Sequence, residues 1–142
     1  MQPESMVHAL EQIHSLLEPG GKLIDIHPNG ELAEIIYPLE GQAHLIGYVQ
    51  ETDDYIEYRQ ADEAIETVVS KGLFQVEKMG QFEFLTHADS FDELKAFLDE
   101  NWGDAVILDE VVTDAKKLEA KYGEYKTILR QQARIGLLKP IH

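Results

Sequence analysis

The chain has no cysteine, which excludes disulfides, thiolate zinc sites and cysteine nucleophiles. Basic residues are scarce too: 12 Lys and Arg stand against 27 Asp and Glu, for a formal net charge of -15. A surface of that sign repels phosphate backbones and argues against nucleic-acid partners. Its plain role is solubility. No run approaches the ~20 apolar residues of a membrane helix, and the start of the chain has neither the basic nor the apolar region of a signal peptide. These absences predict a cytoplasmic protein with no membrane partner. No repeat, low-complexity segment or linker interrupts the 142 residues, and the expectation is one domain over 1–142.

The periodicities alternate between helix and strand. Met6, Leu10, Ile13 and Leu17 share one face of a helix over 4–17. Pro19 stops it, and Gly20-Gly21 permit a reversal into the apolar strand "KLIDI". "ELAEIIY" and "AHLIGYV", joined by "PLEGQ", predict a hairpin with Gly41 in its turn. A helix is expected from Asp54 as N-cap to Gly72 as C-cap, with Ile56, Ala61, Ile65, Val68 and Val69 as its buried stripe. "LFQVEKMGQFEFLTH" alternates and reads as a long strand or a bent hairpin.

Asp89-Ser90 cap a helix that buries Phe91, Leu94 and Leu98. A further helix is expected over 105–122, with Ile107, Val111, Ala115, Leu118 and Tyr122 together. The tail 125–138 alternates again, placing Thr127, Leu129, Ala133, Ile135 and Leu137 on one face. A helix competes there, because Arg130, Gln131 and Gln132 are good helix formers. The expected fold class is α/β: a small mixed sheet flanked by helices, with an additional β-hairpin.

"ALEQIHSLLEPGGKLIDIHP" resembles a segment of the class I S-adenosylmethionine-dependent methyltransferases. There a helix ends in a Leu-x-Pro-Gly-Gly turn and leads into the fifth strand of a seven-stranded Rossmann-like sheet. "GLFQVEKMGQFEF" resembles that family's sixth strand, and the C-terminal tail its antiparallel seventh. The resemblance covers most of the chain but only the family's C-terminal half. The family holds its cofactor with a glycine-rich loop after the first strand and an acidic ribose ligand after the second, and neither has a counterpart here. The resemblance therefore implies no cofactor-binding residue in this chain, and S-adenosylmethionine only if a partner completes the site.

It also implies a strand, Lys22 to Ile26, that has lost a neighbour. Unpaired apolar edges template association. The expectation is a homodimer through that edge, with the extra hairpin or a separate cofactor-binding polypeptide as the other ways of covering it.

Asp25 and His27 end the strand that resembles the fifth, where ligands of open α/β sheets bind, and are the candidate catalytic pair. A His–Asp pair forms an oriented general base; the alternative is a strand-end pair without chemistry. Glu51, Asp53 and Asp54 form an acidic cluster without calcium-loop spacing, explained by capping at a helix N-terminus. His87, Asp89, Asp92 and Glu93 read the same way. His8 and His14, six apart on a helix, do not make a metal pair, and no H-E-x-x-H pattern occurs. Ser15, Ser70 and Ser90 lack a nucleophile elbow. Trp102, the single tryptophan, reads as a packing anchor. Tyr48, Tyr55 and Tyr58 line an apolar pocket, or belong to the core or an interface.

The leading expectation is a methyltransferase-related, non-catalytic homodimeric binding or scaffolding protein. The alternatives are the acceptor-side half of a split methyltransferase and an unrelated small-molecule binding domain.

Overall fold

The computed structural model describes residues 3–51, 56–123 and 126–142. Among them are helices α1 (Pro3–Leu16), α2 (Ile56–Ser70), α3 (Phe91–Asn101) and α4 (Asp109–Tyr122). The strands are β1 (Leu23–Pro28), β2 (Ala33–Leu39), β3 (Gln42–Glu51), β4 (Phe74–Ala88), β5 (Ala105–Val106) and β6 (Thr127–Pro140). The class is α/β, as expected, but the sheet is antiparallel rather than mixed. β1 with β6, β2 with β3, β2 with β6 and β3 with β5 all run antiparallel, and β4 also pairs β6. A strand's period reports its faces; its direction depends on which neighbour it finds, which no single pattern encodes.

The chain divides into two compact units: Met1–Gly30, Ile56–Phe82 and Gln132–His142 in the first, Glu31–Tyr55 and Glu83–Gln131 in the second. Each has its own core.

In the first unit, α1 ends at a turn written by its residues. Gly21 N–H donates to Glu18 O at 2.8 Å, with Pro19 at the second position and Gly20 at φ 88° in the third. That is a type II turn, which needs positive φ where glycine stands and favours proline just before it. α2 ends in a Schellman motif: Leu73 N–H donates to Val68 O, Gly72 N–H to Val69 O, and Gly72 has φ 76°. The expected N-cap Asp54 lies outside the described residues.

Ile65, Val68, Phe74 and Leu138 form the core, with Val7, Leu10, Leu17 and Leu23 packed on it. In the β1–β6 ladder Leu23 stands opposite Leu138, Asp25 opposite Gly136 and His27 opposite Arg134. These inner positions face the helices. Ile24 and Ile26, opposite Leu137 and Ile135, face the other way.

In the second unit, β2 and β3 form the expected hairpin. Its two-residue turn holds Glu40 at φ 52° and Gly41 at φ 77°, the geometry whose twist matches the strands it joins. Ser90 caps α3: its Oγ accepts from Glu93 N–H at 3.1 Å, while Glu93 Oε2 accepts from Asp89 N–H at 2.8 Å. Two otherwise orphaned donors are thereby satisfied. Ser90→Ala should cost about 1 kcal/mol, read as a lower urea midpoint at unchanged slope.

α4 begins at Asp109, not at 105 as the sequence suggests. Ala105 and Val106 pair with Glu51 and Gln50 of β3, and Leu108 takes an extended conformation before the helix. Two ladder positions thus override helix propensity, a tertiary effect. Ala33, Ile35, Val49, Phe91, Leu94, Leu98, Val111 and Leu129 are among the core residues.

The tail is a strand. Its single expected face does not hold throughout: Thr127, Leu129 and Ala133 are buried, but Leu138 is buried in place of Ile135, which is 37% exposed. β6 contributes Leu129 to one core and Leu138 to the other, so one alternation does not describe it.

Candidate functional site

The first unit brings Asp25 and His27 together, as their i, i+2 spacing on β1 requires. His27 Nδ1 lies 2.6 Å from Asp25 Oδ2. The ring's other nitrogen, Nε2, lies 2.6 Å from Asp62 Oδ1 on α2. Arg134, across the ladder from His27, donates from Nη1 to the same Asp62 oxygen at 3.0 Å. The four side chains form a line of alternating charge. The His27 side chain keeps 10% of its exposure, and Asp25 and Asp62 keep 24% and 23%.

Two carboxylates on one imidazole select its protonation state. A carboxylate only accepts, so both ring nitrogens must carry protons to satisfy both contacts. The hydrogen bond that His27 donates to Asp25 is the strongest influence and raises the His27 pKa; burial opposes it, and the bond to Asp62 raises it further. His27 is therefore an imidazolium clamp, with no free ring nitrogen to act as a base.

The cluster forms one wall of a pocket of about 320 Å³ between α2 and the sheet. Ile65, Val69, Val76 and Met79 line its apolar side, and Glu66 and Ser70 its rim. Gly136 sits opposite Asp25, and a Cβ there would lie 2.8 Å from Met79 Sδ. The missing side chain gives the methionine room beside the cluster.

Asp62 and Arg134 were not legible as site residues from the sequence, though a signal exists. Asp62 lies three residues before Ile65 and seven before Val69, placing a carboxylate on the buried stripe of α2. Arg134 is a charge inside an otherwise alternating strand.

The other candidates fall outside this cluster. Trp102 packs against the second unit's core, and its indole N–H donates to Glu51; Asp53 and Asp54 lie outside the described residues. Asp92 pairs with Lys116 at 2.5 Å, Glu93 belongs to the α3 cap, and His87 is exposed. His14 Nε2 contacts Ile141 O at 2.8 Å and its ring meets Phe74 edge-on, a structural role. His8 has no part in it. Ser15 donates to Gln12 O. Tyr48 is exposed on β3 and Tyr58 half-buried on α2; Tyr55 lies outside the described residues. Among the described residues no group of three or more His, Asp or Glu is placed to hold a metal ion, and no helix is long and apolar enough to cross a membrane.

No protein-family model, curated protein or solved structure matches the chain.

Proposed function

We propose that the chain is a cytoplasmic module related to the C-terminal half of class I S-adenosylmethionine-dependent methyltransferases, and that it binds rather than catalyses. The observation that carries this reading is the double occupation of His27: both ring nitrogens already hold carboxylates. A base that must first give up a proton and break a charge-assisted hydrogen bond is poorly prepared for proton abstraction.

The order of elements supports the family reading. α1 enters β1 through the Pro19-Gly20-Gly21 turn, and β1 lies antiparallel to the C-terminal strand, as the family's fifth strand lies beside its seventh. Those glycines precede a strand. A cofactor loop follows one, so they do not supply the close backbone approach that a cofactor needs.

The free side of β1 supports self-association. Among the described residues β1 pairs only with β6. Asn29 N–H donates to Gln132 O at 3.0 Å, and ladder alternation then turns the N–H groups of Ile24 and Ile26 outward. Pro28 has no N–H and closes this stretch, leaving a short edge at Lys22–Ile26 for a twofold partner.

The pocket beside Asp25 and His27 favours a second reading: the acceptor side of a split methyltransferase, with a separate polypeptide supplying the cofactor site. Titration with S-adenosylmethionine and S-adenosylhomocysteine by calorimetry should give no heat from this chain alone. Micromolar binding overturns the non-catalytic reading. Sedimentation velocity should show a dimer that Ile24→Pro, which removes an outward N–H, converts to monomer.

A further inference from the structure

Among the described residues, the first unit's own helices cover one face of its sheet. α1 and α2 cover Leu23, Phe74 and Leu138, while the opposite face presents Ile24 at 61% exposure, Ile26 at 57% and Ile135 at 37%. These side chains are contiguous, because Ile26 stands directly opposite Ile135 and Ile24 opposite Leu137 in the ladder. Between them and β4 runs a groove of about 360 Å³, floored by Gly80 and Gly136 and lined by Ile24, Ile135 and Leu137. Scattered exposed apolar residues need no explanation; a joined patch over a groove marks an interaction surface.

The rim has a sign of its own. Lys22 donates to Glu77 at 2.5 Å. Lys22, Lys139 and Lys78 together hold the Glu77 carboxyl below its usual range, the bond from Lys22 contributing most. Lys22 is bonded to this glutamate and Lys78 and Lys139 act on it electrostatically, in a chain with only 12 basic residues and a net charge of -15. At physiological salt, screening acts over about 8 Å. Lys78 lines the groove itself, so an acidic group docked there meets a basic side chain at the groove wall.

We infer that this face docks an amphipathic helix with acidic flanks, supplied by another polypeptide, its apolar stripe in the groove and its carboxylates on Lys22, Lys78 and Lys139. A sheet face is ordinarily buried by a helical layer, which sets the shape of the occupant. The lysine rim sets its charge. A second copy is a poor helix donor: among the described residues its helices already turn Val7 and Leu10, Ile65 and Val68, Leu94 and Leu98, and Val111 and Ala115 into their own cores. This inference does not depend on the methyltransferase relationship, and it concerns the sheet face rather than the β1 edge.

The test uses two dye-labelled synthetic helices of about 18 residues, five turns, with the same Leu stripe but Glu or Lys flanks. Fluorescence anisotropy with the full chain should show binding of the Glu-flanked helix, at least tenfold weaker binding of the Lys-flanked one, and weakening by added salt. Ile24→Glu with Ile135→Glu should abolish it, and Lys78→Glu with Lys139→Glu should reverse the preference. Circular dichroism checks that each exposed-site variant is folded.

Absence of binding by the Glu-flanked helix overturns the inference, as does equal binding of the two helices. Two other occupants would also overturn it. One is a second copy, revealed by a dimer that Ile135→Glu, off the β1 edge, dissociates. The other is a membrane surface, revealed by vesicles of phosphatidylglycerol that bind the protein and displace the helix.

Discussion

His27→Ala should destabilise the protein by about 2–3 kcal/mol at pH 6, read from urea unfolding. The substitution removes a cation held between two carboxylates, leaving Asp25 and Asp62 without the group that bridges them. Breaking a fully buried ion pair costs about 3–5 kcal/mol. Here each carboxylate retains about a quarter of its exposure, so water recovers part of the loss. Arg134 remains on Asp62 and recovers more. Hydrogen bonds to charged groups contribute about 1.5–3 kcal/mol each, which places the net effect well above that of an ordinary surface change.

The pH dependence carries a definite sign. The folded state raises the His27 pKa, so it binds this proton more tightly than the unfolded chain does. The clamp's contribution is complete below the unfolded value of about 6.5 and is lost as pH rises through the raised folded value. The difference in unfolding free energy between the wild type and His27→Gln should therefore shrink from pH 6 toward alkaline pH. A constant difference would mean that His27 folds neutral and that one of its two carboxylate contacts is not made. Proton NMR of the imidazole, with its two slowly exchanging N–H signals, would read the same state directly.

Phe91→Ala should cost more, about 3–5 kcal/mol, and should remove the second unit's cooperative unfolding before anything else. Phe91 is 1% exposed and opens α3 directly after its Ser90 cap, packed in a core with Leu94, Leu98, Val111 and Leu129. Truncation loses the transfer energy of the ring and leaves a cavity that helix and strands fill only partly. Phe91→Leu keeps most of the apolar volume and should cost well under half as much. The contrast separates lost volume from lost ring interactions, including Lys116 Nζ at 6.0 Å from the ring centroid. A drop of less than 1 kcal/mol for alanine would mean that α3 is not anchored through this ring.

Much of the local structure is written in the chain. Pro19, Gly20 and Gly21 fix a turn that few other residues tolerate, and Gly41 supplies positive φ at the hairpin. Ser90 and Glu93 announce a helix start through groups that satisfy its first donors. Period 2 over Leu23 to His27 is enough by itself to put Asp25 and His27 on one face. These features are legible because each rests on forces acting within a few residues.

The remainder depends on distant neighbours. Ala105-Val106 suits a helix until β3 offers ladder partners. The tail's Arg130-Gln131-Gln132 suits a helix too, yet pairing with β1 and β2 makes it a strand. Strand direction is likewise decided by assembly. Above all, Asp25 and His27 have the spacing of a base and its orienter. Asp62, 35 residues further on, and Arg134, across the ladder, turn that pair into an imidazolium clamp. The sequence by itself determined which residues turn, cap and alternate, because those are local energies. Only the tertiary structure decided the charge state of His27, because that depends on what packing brings to the ring's second nitrogen.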